Sequence, residues 1–431
     1  MTLIRVGGWR SRGATGGEPE VGAASGRREA ANNMEAMLRE WLGLLLRWIH
    51  IIAGIMWIGD SLLFMWIDSH LSPDPQRRSE VAGVTWLIHG GGYYHLEKRL
   101  LVPGRLPPRL RWFWLEATST WLSGFLLLIL IYYMSADAYL IDRSVSSITP
   151  AAAIAVGVGL IVGGWLLYDG LWRTPLVNRP LILLPLSLLL LAAAGYLATH
   201  VLSARAAFLH IGAMLGTIMA ANVWVHILPP QYRMVQAARA GREIDYSLGV
   251  HAKTRSTHNT YFTFPVIFLM ISQHFPVVFT AQPAWLVLIL FFVLGAGARH
   301  IMLVGVRPAQ TIAAATAAAL VILVYLTARP VLSQRSTPPA VYGPVPSLSQ
   351  VRAVLVERCA VCHSETPVMP GFVAPPVNVK MDTPQQIRAL AGRIKIRAVE
   401  QRTMPPGNIT HITDEERALL RRWIDAGAPL K

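Results

Sequence analysis

Cys359-Ala360-Val361-Cys362-His363, the run CAVCH, decides how the C-terminal part of the chain is read. Two thiols separated by two residues, with a histidine directly after the second, form the pattern for covalent c-type haem attachment. The chemistry needs that spacing. Each cysteine adds to one porphyrin vinyl group, and the adjacent imidazole is held under the iron as an axial ligand. These are the only two cysteines in 431 residues, so neither is left over for a disulfide or another metal site. A chance CxxCH in a helix is the competing reading, and a sixth ligand decides against it. Met404 sits in Thr403-Met404-Pro405-Pro406-Gly407-Asn408, where prolines bar helix and fix the backbone. His/Met ligation raises the haem potential towards that of an electron acceptor. Met369 and Met381 are rival sulfur donors, but Met404 has the better loop, just before the last helix.

The flanks agree. Ser347-Leu348-Ser349-Gln350 opens an apolar-periodic run (Val351, Val354, Leu355) that leads into CAVCH. Thr413 with Glu416 three residues on makes a capping box. It starts a helix bearing Leu419, Leu420, Trp423 and Ile424 on one side. The segment resembles a class I cytochrome c, which implies one covalent haem c held by Cys359, Cys362, His363 and Met404.

Elsewhere the composition is that of a membrane protein. Apolar residues make up 53%, charged residues only 15%, and mean hydropathy is +0.42. The net charge of +15 raises nucleic acid as a partner. The basic residues lie between apolar spans and at the termini, with no basic-aromatic surface, so no nucleic-acid binding is expected. Eight windows are long enough to cross a bilayer as helices, at 41–67, 112–134, 150–171, 181–199, 206–228, 260–279, 284–304 and 309–328. The expected fold is all-α: a polytopic eight-helix transmembrane bundle, then a small helical cytochrome c domain. Residues 1–37 read as a disordered extension, 38–329 as the membrane domain, 330–346 as a Pro-rich linker and 347–431 as the cytochrome.

Lys and Arg resist translocation. They crowd alternate loops: seven lie between the first two spans and five between the fifth and sixth, whereas the intervening loops carry Arg143, Arg205 and none. The basic loops are therefore expected in the cytoplasm. Both termini are expected outward, with the cytochrome domain on the periplasmic side of a bacterial inner membrane. Arginines within residues 1–40 oppose an outward N-terminus; a start at Met34 or Met37 would remove most of that conflict.

Ionisable groups in a bilayer are costly and usually functional. Asp60, Glu116, Asp169, Asn222, His226, His258 and Asn259 all fall on the cytoplasmic half. Asn222 and His226 are one turn apart and share a face. Between the first two spans, Val81 to Tyr94 is apolar but too short to cross. Its core, His89-Gly90-Gly91-Gly92-Tyr93-Tyr94-His95-Leu96-Glu97-Lys98, reads as a re-entrant or interfacial segment lining a pocket, with three glycines breaking any helix. Any single one of these groups is more readily a helix-end anchor or a buried hydrogen-bonding residue; their collective bias to one side is what suggests a pocket. A second intramembrane haem or metal is a further expectation, from His210 level with His274, His226 level with His258, and His50. Sixteen residues turn the second histidine of each pair about 160° from the first, so at most one level faces its partner helix.

Several long stretches carry a likeness. They are WIHIIAGIMWIGDSLLF (48–64), HGGGYYHLEK (89–98), EATSTWLSGF (116–125), GTIMAANVWVHILPPQ (216–231) and HNTYFTFPVIFLMISQHFP (258–276). Together they resemble the bacterial membrane-bound urate oxidase (urate hydroxylase) family, a multi-span domain fused to a cytochrome c, over roughly residues 38–430. The resemblance implies oxidation of urate to 5-hydroxyisourate, with electrons leaving through haem c to a respiratory acceptor such as a terminal oxidase. For such a planar anionic heterocycle, amides come from Asn222 and Asn259 and an aromatic wall from Tyr93, Tyr94 and Tyr261. A general base comes from among His89, His95, Glu97, Glu116 and His226. The rival classes are a quinol-to-cytochrome c electron-transfer subunit without urate chemistry, and a transporter, for which no inverted repeat is found.

Overall fold

The computed structural model describes residues 19–335, 343–369, 372 and 374–430. The first helix, α1 (Pro19–Ser69), begins well upstream of its apolar part, Met37–Ser69. From Pro19 onward, the stretch expected to be disordered is therefore helical. Its Ala, Glu, Arg and Met are strong helix formers, and they extend the apolar helix instead of fraying from it.

The segment expected to be re-entrant is a β-hairpin, and the fold is not purely helical. Strand β1 (Val81–His89) pairs antiparallel with β2 (Gly92–Arg99), with Trp86 opposite His95 and Ile88 opposite Tyr93. Gly90 and Gly91 make the two-residue turn at φ +58° and +79°, the left-handed backbone that such tight hairpin turns demand. The glycines thus mark a turn between two β-rich runs, not a break in a helix.

The remaining bundle is α2 (Leu115–Tyr133), α3 (Pro150–Leu171), α4 (Pro180–Val201), α5 (Ala204–Arg239), α6 (Ser247–Ser272), α7 (Ala284–Val304) and α8 (Gln310–Arg335). Among the described residues, seven helices, not eight, are long and apolar enough to cross a membrane. The expected window 260–279 falls on α6, which is not among them, because its first half carries His251, Lys253, Arg255, His258 and Asn259. Yet α6 runs the length of the bundle. It starts where Tyr246 Oη donates to Leu101 O (2.7 Å), beside the hairpin. At its other end Gln273 Oε1 accepts from Tyr132 Oη (3.3 Å). The expected linker also starts late, since α8 continues through Pro330 to Arg335; residues 336–342 lie outside those described.

Helix α5 is central, with Ala206, Phe208, His210 and Ile211 fully buried. Leu167, Leu189 and Val321, on α3, α4 and α8, stand exposed. An apolar exterior of this kind suits lipid, not water.

Beyond residue 342 lies a small helical unit: α9 (Leu348–Leu355), α10 (Pro384–Ala389), α11 (Ala391–Ile394) and α12 (Asp414–Asp425). Ser347 and Gln350 cap α9 reciprocally, and Thr413 and Glu416 cap α12. The core is Val351, Leu355, Ile387, Ile394, Leu420 and Trp423. The Thr413–Glu416 capping box and the apolar face of α12 are as the sequence indicates, and the Ser347–Gln350 box is an addition.

Candidate functional site

Pro229 and Pro230 have no N–H to offer the carbonyls one turn back. Immediately before and around that point α5 opens into a wide π-helical turn, Asn222–Ile227, a feature that recurs at functional sites. It aims Asn222 and His226, both buried, into the bundle. On α6, His251, Arg255 and Asn259 recur every fourth residue and so share a face. Asp169 and Tyr168 end α3.

These three helices make one polar network. His226 Nε2 lies 2.5 Å from Asp169 Oδ1, and His226 Nδ1 lies 3.2 Å from His251 Nε2. His226 and Asp169 are buried, whereas His251 is exposed. The chain of groups therefore leads from the interior to the surface. Arg255, 2% exposed, donates to Asp169 (3.4 Å), and its guanidinium lies over the Tyr168 ring, 5.2 Å from the centroid. Arg173 reinforces Asp169 from outside at 2.6 Å. Asn222 Nδ2 donates to Tyr168 Oη (3.0 Å) and to Asn259 Oδ1 (2.9 Å), while Asn259 Nδ2 donates to Met219 O (2.9 Å). Tyr168 Oη pairs with His258 Nδ1 at 2.7 Å. Within this network two buried atoms have no protein partner among the described residues: the Asn222 Oδ1 acceptor and the Arg255 Nη1 donor. Leaving such atoms unpaired costs about 1–3 kcal/mol each, which a polar ligand would relieve.

Of the residues singled out from sequence, Asn222, His226 and Asn259 come together here. Glu116 is half-buried with Oε2 unpartnered and makes no hydrogen bond to the network. His89 and His95 are exposed on the hairpin, His95 packed on Trp86, and Glu97 pairs with Arg78 at 2.6 Å. Tyr93 and Tyr94 are also exposed there, and Tyr261 pairs with His300 at 2.7 Å. Sequence reasoning passed over Tyr168, His251 and Arg255. The four-residue recurrence of His251, Arg255 and Asn259 was the available signal, hidden because Arg255 was counted as loop charge.

Four of the five histidines raised for a second centre have protein partners, His258 with Tyr168 as above. His210 meets Ala206 O (2.8 Å) and Tyr133 Oη (3.2 Å), and both nitrogens of His226 are engaged as above. His50 meets Thr120 O at 2.9 Å, and His274 is exposed. Among the described residues no group of three or more His, Cys, Asp or Glu side chains is set to hold a metal ion.

In the C-terminal unit the donor set fits a haem. Cys359 and Cys362 are unpaired, and burial pushes the Cys359 thiol up to about 12. His363 Nδ1 lies 3.1 Å from Val379 O. Donation there leaves Nε2 free, the usual support of a ligating imidazole. Met381 is buried in the core while Met404 is 38% exposed, which favours Met404 as the available sulfur. Buried Arg417 braces that loop by donating to Met404 O (3.1 Å), Asn408 Oδ1 (3.3 Å) and Ala398 O.

A family model described as Urate oxidase N-terminal matches residues 36–329. No curated protein and no solved structure matches the chain.

Proposed function

The chain belongs to the urate oxidase N-terminal family, and from that premise we propose that it is a membrane-embedded oxidoreductase that hydroxylates urate to 5-hydroxyisourate. The overall change is urate plus water giving 5-hydroxyisourate, two electrons and two protons. The observation that carries this reading is the pair of buried, unpartnered groups, Asn222 Oδ1 and Arg255 Nη1, within reach of the Asp169–His226 pair. Arg255 offers a cation to the urate anion, and Asn222 Oδ1 accepts from a ring N–H. Asp169 accepts from His226 Nε2–H and so leaves Nδ1 to take up a proton. From there His251 carries it to solvent. Among the five bases weighed from sequence, this geometry supports His226.

Cys359, Cys362, His363 and Met404 would hold a haem c, which when bound supplies a one-electron acceptor. The further reading is that α6 is an eighth span, that the hairpin end faces the cytoplasm of a bacterium, and that the C-terminal unit lies outside the inner membrane. Electrons then pass to a respiratory acceptor such as a terminal oxidase. The test is anaerobic turnover of urate in heavy-oxygen water, with ferricyanide as final acceptor. Label should appear in the product of wild-type membranes and be lost with His226→Gln. No product from urate, with the haem reduced by quinol alone, would select the electron-transfer subunit instead.

A further inference from the structure

Among the described residues, the C-terminal unit meets the bundle at the loop between α2 and α3. Between α2 and α3 the chain makes a one-turn helix, Ala136–Tyr139, ending in Leu140 and Ile141, both fully buried. Ser203 locks this loop by donating from N to Leu140 O (2.9 Å) and from Oγ to Tyr139 O (2.8 Å). Gly407 lies directly on it. A Cβ at that position would collide with the Ile141 carbonyl and crowd those of Asp137 (3.2 Å) and Ala138 (3.3 Å). Gly407 also has φ +53°, so both its backbone and its surroundings require glycine. Three residues earlier is Met404.

Behind the loop, aromatic rings lead into the bundle. Tyr139 and Tyr132 have centroids 6.1 Å apart, Tyr132 and His210 6.3 Å, and His210 and Tyr133 5.8 Å. Arg205 lies over Tyr139 at 5.9 Å. On α3, Tyr168 of the polar network is eleven residues from Gly157, against which His210 sits, about 16 Å at 1.5 Å per residue. Asp142, at the loop's far end, turns a carboxylate towards the buried Arg417 guanidinium of the C-terminal unit.

We propose that Asp137–Ile141 is the docking seat for the Met404–Asn408 loop, with the C-terminal unit of the same chain as its occupant, and that this seat is where electrons leave the bundle. Resting on the function proposed above, each urate oxidised sends its two electrons across singly, each reducing one ferric haem to ferrous, while the two protons leave to solvent through the network at the opposite end. Nothing bonds across the seat; it sets distance.

The experiment compares full-length wild type, Gly407→Ala and Asp142→Lys in membranes. Hydrogen exchange of residues 136–143 should rise several-fold in both variants. Haem reduction by urate should slow at least tenfold, with reduction by ascorbate and the haem spectrum unchanged. If Gly407→Ala loses its haem spectrum through misfolding, Asp142→Lys carries the test. Unaltered exchange of 136–143 in the folded variants overturns the seat. A rise in exchange together with wild-type haem that urate cannot reduce leaves the seat standing and overturns the urate reading instead.

Discussion

Asp169 is the residue on which most of the site's charge converges, since Arg173, Arg255 and His226 all meet it. Removing one member of a buried ion pair strands the other, at a cost of about 3–5 kcal/mol. Asp169→Asn should therefore lower the thermal unfolding midpoint in detergent, by the equivalent of about 3 kcal/mol, with Arg255 left unneutralised. His226→Gln tests chemistry instead, because glutamine keeps a donor towards Asp169 but cannot take up a proton. Urate turnover should fall about a hundredfold or more, the scale of a lost general base, with the melting midpoint held. An equal drop in both measurements would make His226 a packing residue. Asn222, His226 and Asn259 were legible because polar groups inside apolar spans stand out. Tyr168 was not, since a tyrosine near a span's end reads as an interfacial anchor until its hydrogen bond to Asn222 is seen.

Among elements, the hairpin was the one misread. Val81–His89 and Tyr93–Lys98 are rich in β-branched and aromatic residues, but an expectation of helices throughout made Gly90-Gly91 look like a helix break. The turn now gives a prediction. Gly90→Val forces a β-branched residue into left-handed backbone, at about 1–2 kcal/mol, and should raise amide exchange along β1 and β2. The hairpin's base is clamped by Arg78, which holds Asp74 at 2.8 Å and Glu97 at 2.6 Å. Arg78 keeps the Asp74 carboxyl well below the usual carboxylate range. A depressed folded-state value means that the contribution is fully present above the ordinary carboxylate pKa of about 3.9. It is lost only as pH falls through the lower folded value. Hairpin exchange, corrected for intrinsic rates, should thus stay flat from neutral pH to about pH 4, and Asp74→Asn should raise it across that whole range. Helices α2, α3, α4 and α7 were readable to within a few residues because twenty-residue apolar runs leave little choice, whereas α1, α5 and α8 run on into polar sequence. Helix α6 was half hidden, since its polar face turns inward and mimics a loop.

Over the whole molecule, the network and the C-terminal unit occupy opposite ends. The Asp169–His226–His251 chain lies at the end where Tyr246 meets Leu101, and Gly407 meets Ile141 at the other. The two-part organisation was legible from CAVCH and the apolar windows. Contact between the parts was not, because it runs through backbone carbonyls that no side-chain pattern encodes. Under the proposed function, separation of the ends requires that urate's electrons cross the bundle to reach the C-terminal unit. The most direct measurement is anaerobic addition of substoichiometric urate to membranes holding the full chain, watching the c-type haem absorption. The account predicts two haems reduced per urate in wild type and none in His226→Gln, whose haem ascorbate still reduces. Haem that stays oxidised with urate, or is reduced equally in the His226 variant, would contradict it.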